Sequence, residues 1–368
     1  MAISLFSGCG GLDLGATRAG ASVVWATDKM SWGADAIAQL LPDAEFHLED
    51  IRRVRTFPRA DLVLGGYPCQ PFSMGGARDP ASDQRSTLFH EFARAVEVVD
   101  PRFFVAENVL GLRSLGARQW LTEQIATFRR LGRRGYHVSC GVLDAADYGL
   151  PQRRRRIFLV GVRTDLRRVY RFPPPTHGRA GTETGLKQWL SHGDALAAAG
   201  LPSWPTGEFY ERPADPDGGF SWWYRSRNRK ARWEGPAATV LAAGRHVGLH
   251  PASCTMRKAW SRLDDGFKQG WEFTGEYEHL DGRPERMALE RPRRLSWREC
   301  ALLQGFPGSF EPSGSMTLKY QQIGNAVPPG LAEAVVRPLV DESGLVRVTN
   351  LSDSERALFN LQLRGVAR

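Results

Sequence analysis

Lysine is scarce in this 368-residue chain: only six of its 49 basic residues are lysine (29, 187, 230, 258, 268 and 319) and the rest are arginine. Cysteine is scarce too. The five (Cys9, Cys69, Cys140, Cys254 and Cys300) form no CxxC pair and no zinc-finger spacing, which argues against a disulfide framework or a structural metal. No apolar run approaches the roughly 18 residues that a membrane span needs. The opening stretch MAISLFSGCGG has no basic region ahead of its apolar residues and no small-residue cleavage site, so no secretory leader is expected. A reducing cytoplasm is the expected compartment. The dinucleotide pattern GxGxxG is missing as well, because position 13 is aspartate where its third glycine belongs.

What is present is positive charge. The net charge is +9 and the pI about 9.6, which suits a polyanionic partner. Arginine's planar fork fits phosphates and guanine edges bidentately. An arginine-for-lysine bias is also what a GC-rich genome produces, so charge supports a nucleic-acid partner without establishing one.

Residues 2–163 alternate strand and helix signals. Apolar runs at 3–6, 23–26, 62–64, 103–106 and 157–160 read as strands, with helical patterns between them at 88–98 and 119–131. That alternation predicts an α/β domain with a mostly parallel sheet covered by helices on both faces. Three prolines at 173–175 end it, and Pro, Gly, Trp and Arg then dominate to about residue 290, with seven of the eleven tryptophans in that stretch. Within it, WWYRSRNRKARW interleaves aromatic and basic residues. Core-like helical patterns return in LSWRECALLQGF and GLAEAVVRPLV, and Ser352-x-x-Glu355 is a capping-box signature for a last helix. The expected organisation is an α/β domain at 1–171, a small irregular domain at 172–290, a return to the first domain at 291–340, and a tail helix at 341–368.

Several stretches carry candidate chemistry. ADLVLGGYPCQPFS runs a short buried strand into two glycines and then a cysteine stiffened by Pro68 and Pro71. Cys69 is either a packed, inert thiol or a nucleophile at the carboxyl end of a strand, where open α/β sheets bind ligands. FSGCGG lets the backbone approach a ligand at a helix N-terminus. Asp28 ends the second strand, placed to accept hydrogen bonds from ribose hydroxyls, and Asp50-Ile51 sit in a position to receive an adenine; either acid is also an ordinary loop residue. Glu107, in VAENV, ends a strand on the same edge as Cys69 and is a candidate general acid for a ring nitrogen. In YGLPQRRRRIFLVG, strand alternation would put Arg154 and Arg156 on one face, with Arg153 and Arg155 free for backbone phosphates.

In combination these stretches resemble the DNA (cytosine-5)-methyltransferase family. FSGCGG, GGYPCQPFS, DQRSTLF, AENV, PQRRRRIFLVG, RRLSWRECALLQGFP and QQIGNAVPP occur in the family's order, covering residues 3–163 and 294–336. The resemblance implies a Rossmann-like, S-adenosylmethionine-dependent catalytic domain plus a small target-recognition domain, acting monomerically on double-stranded DNA and often paired with a restriction endonuclease of the same specificity. It implies Cys69 as the nucleophile, Glu107 at the cytosine ring nitrogen and amino group, Arg156 at the carbonyl oxygen and Arg154 near the thiolate. Phe6, Ser7, Gly8, Cys9, Gly10, Gly11, Asp28, Asp50, Ile51, Pro68, Leu88 and Asn325 would line the cofactor site. Gln70, Ser73 and Arg85 would face DNA. Thr239-Val240 is similar to the Thr-plus-aliphatic pair of target-recognition domains, with Arg245 following as a candidate base reader and Arg229 expected on the phosphate backbone.

Three positions depart from the family pattern: Ser4 where Asp is frequent, Tyr67 in place of the first proline of Pro-Pro-Cys, and Ser86 in place of Gly. None removes a reacting group. The tRNA-methylating branch of the family carries a Cys-Phe-Thr signature that this chain lacks. A catalytically dead DNA-binding regulator would not need Cys69, Glu107, Arg154 and Arg156 together.

Overall fold

Short runs buried at every position, such as AISL and LVLG, satisfy their backbone only by pairing on both sides, and they form the centre of the sheet. The computed structural model describes residues 1–68, 88–113, 118–179, 185–201, 207–208, 220–263, 266–278, 289 and 291–352. Two compact units emerge, one of Met1–Asp144, Arg155–Pro174 and Val327–Arg368, the other of Ala145–Arg154 and Pro175–Ala326.

The first unit contains β1 (Ala2–Leu5), α1 (Gly11–Arg18), β2 (Val23–Asp28), α2 (Trp32–Leu40), β3 (Glu45–Leu48), β4 (Leu62–Gly65), α3 (Leu88–Val99), β5 (Phe103–Val109), α4 (Arg118–Phe128), β6 (Tyr136–Asp144), β7 (Arg155–Arg163) and β8 (Arg168–Tyr170). β1 to β7 make one seven-stranded sheet in the order β3-β2-β1-β4-β5-β7-β6. Pairings from β3 to β5 are parallel; β7 runs antiparallel to both β5 and β6. The expected mostly parallel α/β architecture is therefore present. β6 was not among the expected strands, because its sequence YHVSCGVLD breaks every apolar run with a polar residue or glycine.

Aromatic packing fills one face of the sheet. The Phe104 ring on β5 packs tilted against Phe128 of α4 at 4.7 Å and edge-to-face with Tyr136 of β6 at 5.2 Å, with Phe92 of α3 edge-on to both phenylalanines. A Cβ at Gly161 on β7 would overlap the Phe104 ring, so the strand must carry glycine there.

The second unit holds little regular structure: β9 (His177–Gly178), β10 (Lys187–Gln188), α5 (His192–Ala198), the hairpin β11 (Met256–Leu263) and β12 (Gly266–Phe273), α6 (Trp297–Gln304) and α7 (Met316–Asn325). Its apolar clusters are small, one of Phe220, Tyr224, Leu249 and Met256, another of Trp233, Ala252 and Leu289. Buried polar pairs supplement them. Arg293 makes a bidentate bond to Glu299 (2.8 and 2.7 Å), both side chains at most 2% exposed, and Glu299 also closes a capping box with Ser296 at the start of α6. These contacts draw residues 291–326 into the second unit, and the chain rejoins the first at Val327 rather than near 291. Back in the first unit, α8 (Pro329–Val340) packs on α1, where a Cβ at Gly15 would overlap Ala332, and β13 (Leu345–Arg347) pairs with β8. Residues 353–368, where the tail helix was expected, lie outside the described residues. Among the described residues, no helix is long and apolar enough to cross a membrane.

His250 supplies a test of this polar core. Its Nδ1 accepts the Ala252 N–H at 3.1 Å, its Nε2 lies 3.5 Å from Glu299, and burial drives its pKa down to about 3. The unfolded imidazole takes a proton below about pH 6.5, whereas the folded one stays neutral until about 3. Stability is therefore full above the unfolded value and falls as pH drops from 6.5 toward 3. His192, also lowered by burial, adds to the same slope. Urea midpoints measured from pH 7.5 to 4.5 should fall steeply for the wild type and less steeply for His250→Gln; identical slopes would contradict this account.

Candidate active site

β1 pairs with β2 on one side and β4 on the other, so the strand order reverses at β1. In open α/β sheets the crevice at the strands' carboxyl ends opens at such a reversal. Two of the sequence-predicted motifs leave from there: the glycine-rich loop from Leu5 and the Gly65–Pro68 segment from β4, with Leu5 and Gly65 in register.

The glycine-rich loop is held in an unusual backbone shape. Phe6, Gly8 and Gly10 all have positive φ (56°, 55° and 75°), so two of the three positions use glycine's freedom and Phe6 bears the strain. A Cβ on Gly8 would meet nothing closer than 4.0 Å, which leaves the backbone open to a ligand, whereas one on Gly10 would press on Ile37 at 3.1 Å. Asp28, at the end of β2, ties the loop down: one carboxylate oxygen accepts the Gly8 N–H and the other the Met30 N–H, both at 2.9 Å. Burial raises the Asp28 pKa, and those two N–H groups oppose the rise. Asp50 is ion-paired with Arg52 at 2.6 Å, which lowers its pKa to about 2, and Ile51 is buried with its carbonyl accepting from Arg94. Leu88 is buried at the start of α3. Ser7 and Cys9 are buried within the loop and Gly11 begins α1.

The other half of the site lies on β4, β5 and β7. Glu107 on β5 is 10% exposed and forms an ion pair with Arg156 of β7 (Nε to Oε1, 2.9 Å). Burial pulls the Arg156 pKa down while Glu107 holds it up. The second Glu107 oxygen lies against Gly66, where a Cβ would stand 3.2 Å away. Asn108 donates to the Tyr67 carbonyl at 3.3 Å, and Tyr67 donates its hydroxyl to Gln124 at 2.6 Å. Asn108 and Gln124 carry no expected role from sequence, although Asn108 sits inside the AENV motif; Gly66 is the second of the two glycines expected to end the strand. The segment up to Pro68 is thus held from below by β5. Cys69, Gln70, Ser73 and Arg85 follow it and lie outside the described residues, as does Ser86.

In the second unit, Arg154 is fully buried and donates to three backbone carbonyls, Val240 (3.0 Å), Gly324 (2.8 Å) and Ala326 (2.7 Å). β7 begins at Arg155, so strand alternation does not extend back to Arg154. Asn325 is exposed, Thr239 donates its hydroxyl to the Arg153 carbonyl at 2.7 Å, and Arg245 is exposed on the turn after Gly244. Arg229, expected on phosphates, instead lies over the Tyr224 ring at 4.7 Å and donates to the Tyr224 and His246 carbonyls. Burial lowers its pKa.

The family model for C-5 cytosine-specific DNA methylases matches residues 1–341. The chain belongs to that family. The methylase is 35% identical to the Type II methyltransferase M.BsuRI of Bacillus subtilis over 92% of its length and 79% of that protein, and 35% identical to M.FnuDI of Fusobacterium nucleatum over 91% and 92%. A putative DNA modification methyltransferase from an E. coli prophage shares its fold, with TM-score 0.62, 23% identity, and 92% and 98% of the two chains covered. The S. pombe Dnmt2 methyltransferase does so at TM-score 0.58 and 17% identity, over 93% and 98%. The sheet is accordingly the Rossmann-like sheet of S-adenosylmethionine-dependent methyltransferases.

The methylase family uses S-adenosyl-L-methionine, and the open backbone over Gly8 beside the Asp28 carboxylate fits such a group. Two of the departures from the family pattern, Tyr67 and Ser4, also have structural reasons. Tyr67 is 3% exposed and packs its ring against Phe89 and Phe92, replacing a proline with core. Ser4 is fully buried near Asp13, whose carboxyl burial pushes up to about 6; a second acid there would face a like group in low dielectric.

Gly66→Ala should displace the Glu107 carboxylate by a few tenths of an ångström. Turnover is expected to fall about tenfold, given that ångström-scale misplacement costs about a hundredfold, with the Michaelis constant for S-adenosyl-L-methionine unchanged. Steady-state kinetics checks this, and an unaltered kcat would show that the contact is slack.

Proposed function

We propose that the enzyme is a sequence-specific DNA methyltransferase of a Type II restriction-modification system, methylating carbon 5 of a flipped-out cytosine through a covalent adduct with Cys69. The observation that carries this reading is the Glu107–Arg156 ion pair packed against Gly66, three residues before that cysteine. Carbon 5 of cytosine is a weak nucleophile. Addition of the Cys69 thiolate to carbon 6, with Glu107 holding a proton at the ring nitrogen, converts the ring to an enamine-like form whose carbon 5 is nucleophilic. Arg156 fixes the Glu107 carboxylate and lies toward the base's carbonyl oxygen. The cofactor supplies an electrophilic sulfonium methyl group when bound. Loss of the carbon 5 proton then expels Cys69 and restores the aromatic ring. None of this reaches a stacked base, so the target nucleotide must leave the helix.

Phe6, Ser7, Gly8, Cys9, Gly10, Gly11, Asp28, Asp50, Ile51, Pro68, Leu88 and Asn325 are the proposed cofactor contacts; Gln70, Ser73, Arg85, Thr239 and Arg245 the proposed DNA contacts. The relatives' restriction-modification setting supports a partner endonuclease that cuts the same site when it is unmethylated, with both proteins in the cytoplasm and the methyltransferase acting as a monomer. Bisulfite sequencing of DNA from cells expressing the chain tests the reading. Protection of one cytosine within one recurring sequence is expected, and its loss in Cys69→Ser. Protection confined to tRNA, or none in DNA, would refute it.

A second expectation concerns the cofactor. Asp28→Ala removes a ribose acceptor and the tether on Gly8 together, so the Michaelis constant for S-adenosyl-L-methionine should rise more than kcat falls. An unchanged constant would make Asp28 a loop acid only.

A further inference from the structure

Gln152, Arg153 and Arg154 precede β7, and each bonds to the segment 237–240. The Ala237 N–H donates to the Pro151 carbonyl at 2.9 Å and the Arg153 N–H to the Ala237 carbonyl at 2.8 Å. The Thr239 hydroxyl donates to the Arg153 carbonyl. Gln152 is fully buried; its side-chain oxygen accepts the Val240 N–H at 2.8 Å and its amide donates to Gln304 at 3.1 Å. Gln304, equally buried, passes the chain on to the Ile323 carbonyl at 2.6 Å. Arg154 then joins both ends by donating to Val240, Gly324 and Ala326 at once.

Packing locks the same two segments from the other side. A Cβ on Gly324 would overlap the Leu241–Ala242 backbone, and one on Gly244 would meet the Tyr320 ring at 2.6 Å. Two exposed side chains stand on the locked pieces. Asn325 lies between the two carbonyls that Arg154 holds, and Arg245 follows Gly244. A buried guanidinium is costly unless its donors are met, so the three carbonyls cannot drift independently. The planar fork holds the three carbonyls from two nitrogens in one fixed geometry, whereas an ammonium donates from a single nitrogen on a flexible stem.

We infer that Arg154 is a positioning residue which, with Gln152 and Gln304, splints the segment 237–246 to the turn bearing Asn325, so that discrimination between DNA sequences depends on it through the two pieces it holds together. The inference rests on the proposed methyltransferase activity and assigns this arginine a place in reading rather than in chemistry.

The test uses the purified full chain with Arg154→Lys, and with Gly324→Ala, which attacks the same joint from the packing side. For each, kcat/KM is measured on the cognate duplex and on duplexes with one substituted base pair, beside the thermal unfolding midpoint, equilibrium binding of S-adenosyl-L-methionine without DNA, and covalent trapping on a 5-fluorocytosine duplex. Both variants should trap the fluorinated base when S-adenosyl-L-methionine is saturating. Their cognate-to-substituted ratio should drop about tenfold, the scale of one lost base-reading contact, through a raised KM for cognate DNA. Should either fail to fold, Gln304→Met, nearly equal in shape, breaks only the amide links and must show the same loss of ratio.

A ratio left intact while kcat and the unfolding midpoint fall would overturn the proposal and leave Arg154 a stability residue. Lost trapping with an intact ratio would return it to the reacting centre. A wild type that methylates no duplex would defeat the methyltransferase reading itself, and the splint's role with it.

Discussion

Everything at the candidate site depends on how closely a carboxylate approaches a glycine. Glu107 stands against Gly66 with the clearance a Cβ would take, and that is achieved only because β4 and β5 are adjacent and in parallel register. The buried aromatic cluster of Phe92, Phe104 and Phe128 lies under the same strands and keeps them from sliding. Arg156 reaches the carboxylate from the antiparallel β7, which supplies a cation without another loop. Asn108, next along β5, holds the Tyr67 carbonyl, so one strand orients both the Glu107 carboxylate and the segment Gly66–Pro68. Packing here becomes reactivity through a few tenths of an ångström.

Most of the first unit was legible. Continuous apolar runs mark strands buried on both faces, and these were the ones recognised; β6, with polar residues and glycine throughout, carries no such mark and is identified only by its pairing with β7. The glycine loop and Asp28 stand at the carboxyl ends of β1 and β2, and Glu107 lies two residues before the end of β5. What periodicity could not show was where β7 starts. Reading alternation back through the arginine run paired Arg154 with Arg156, yet the strand begins between them, and the two side chains serve different ends. The second unit was the least legible, since its contacts are long-range hydrogen bonds that leave no local pattern.

The excess of arginine over lysine takes on a different meaning in the folded chain. Positive charge reads in a sequence as surface for a polyanion, and Arg245 is indeed exposed. Arg154, Arg293, Arg294 and Arg229 are turned inward instead. Arg293 binds Glu299 bidentately, Arg294 lies over Phe220 and Tyr224 and donates to the Arg245 carbonyl, and Arg229 staples two turns. A unit with small apolar clusters gains rigidity from guanidinium groups that satisfy several carbonyls each, which a lysine ammonium does less well.

The second unit is stitched from two separated pieces of chain, and this sets a rule for anyone transplanting it. Residues 145–154 look like the tail of the catalytic motif, yet their hydrogen bonds go to 237–240 and 323–326. A chimera that exchanges only 175–326 between two related enzymes would marry a foreign segment to a native seam, with Pro151, Gln152 and Arg154 offering bonds cut for another partner. The natural cut sites are four: after Asp144, after Arg154, after Pro174 and after Ala326. Grafts made at all four carry their own seam with them, and the short ten-residue piece is as much a part of the interchangeable cassette as the long one.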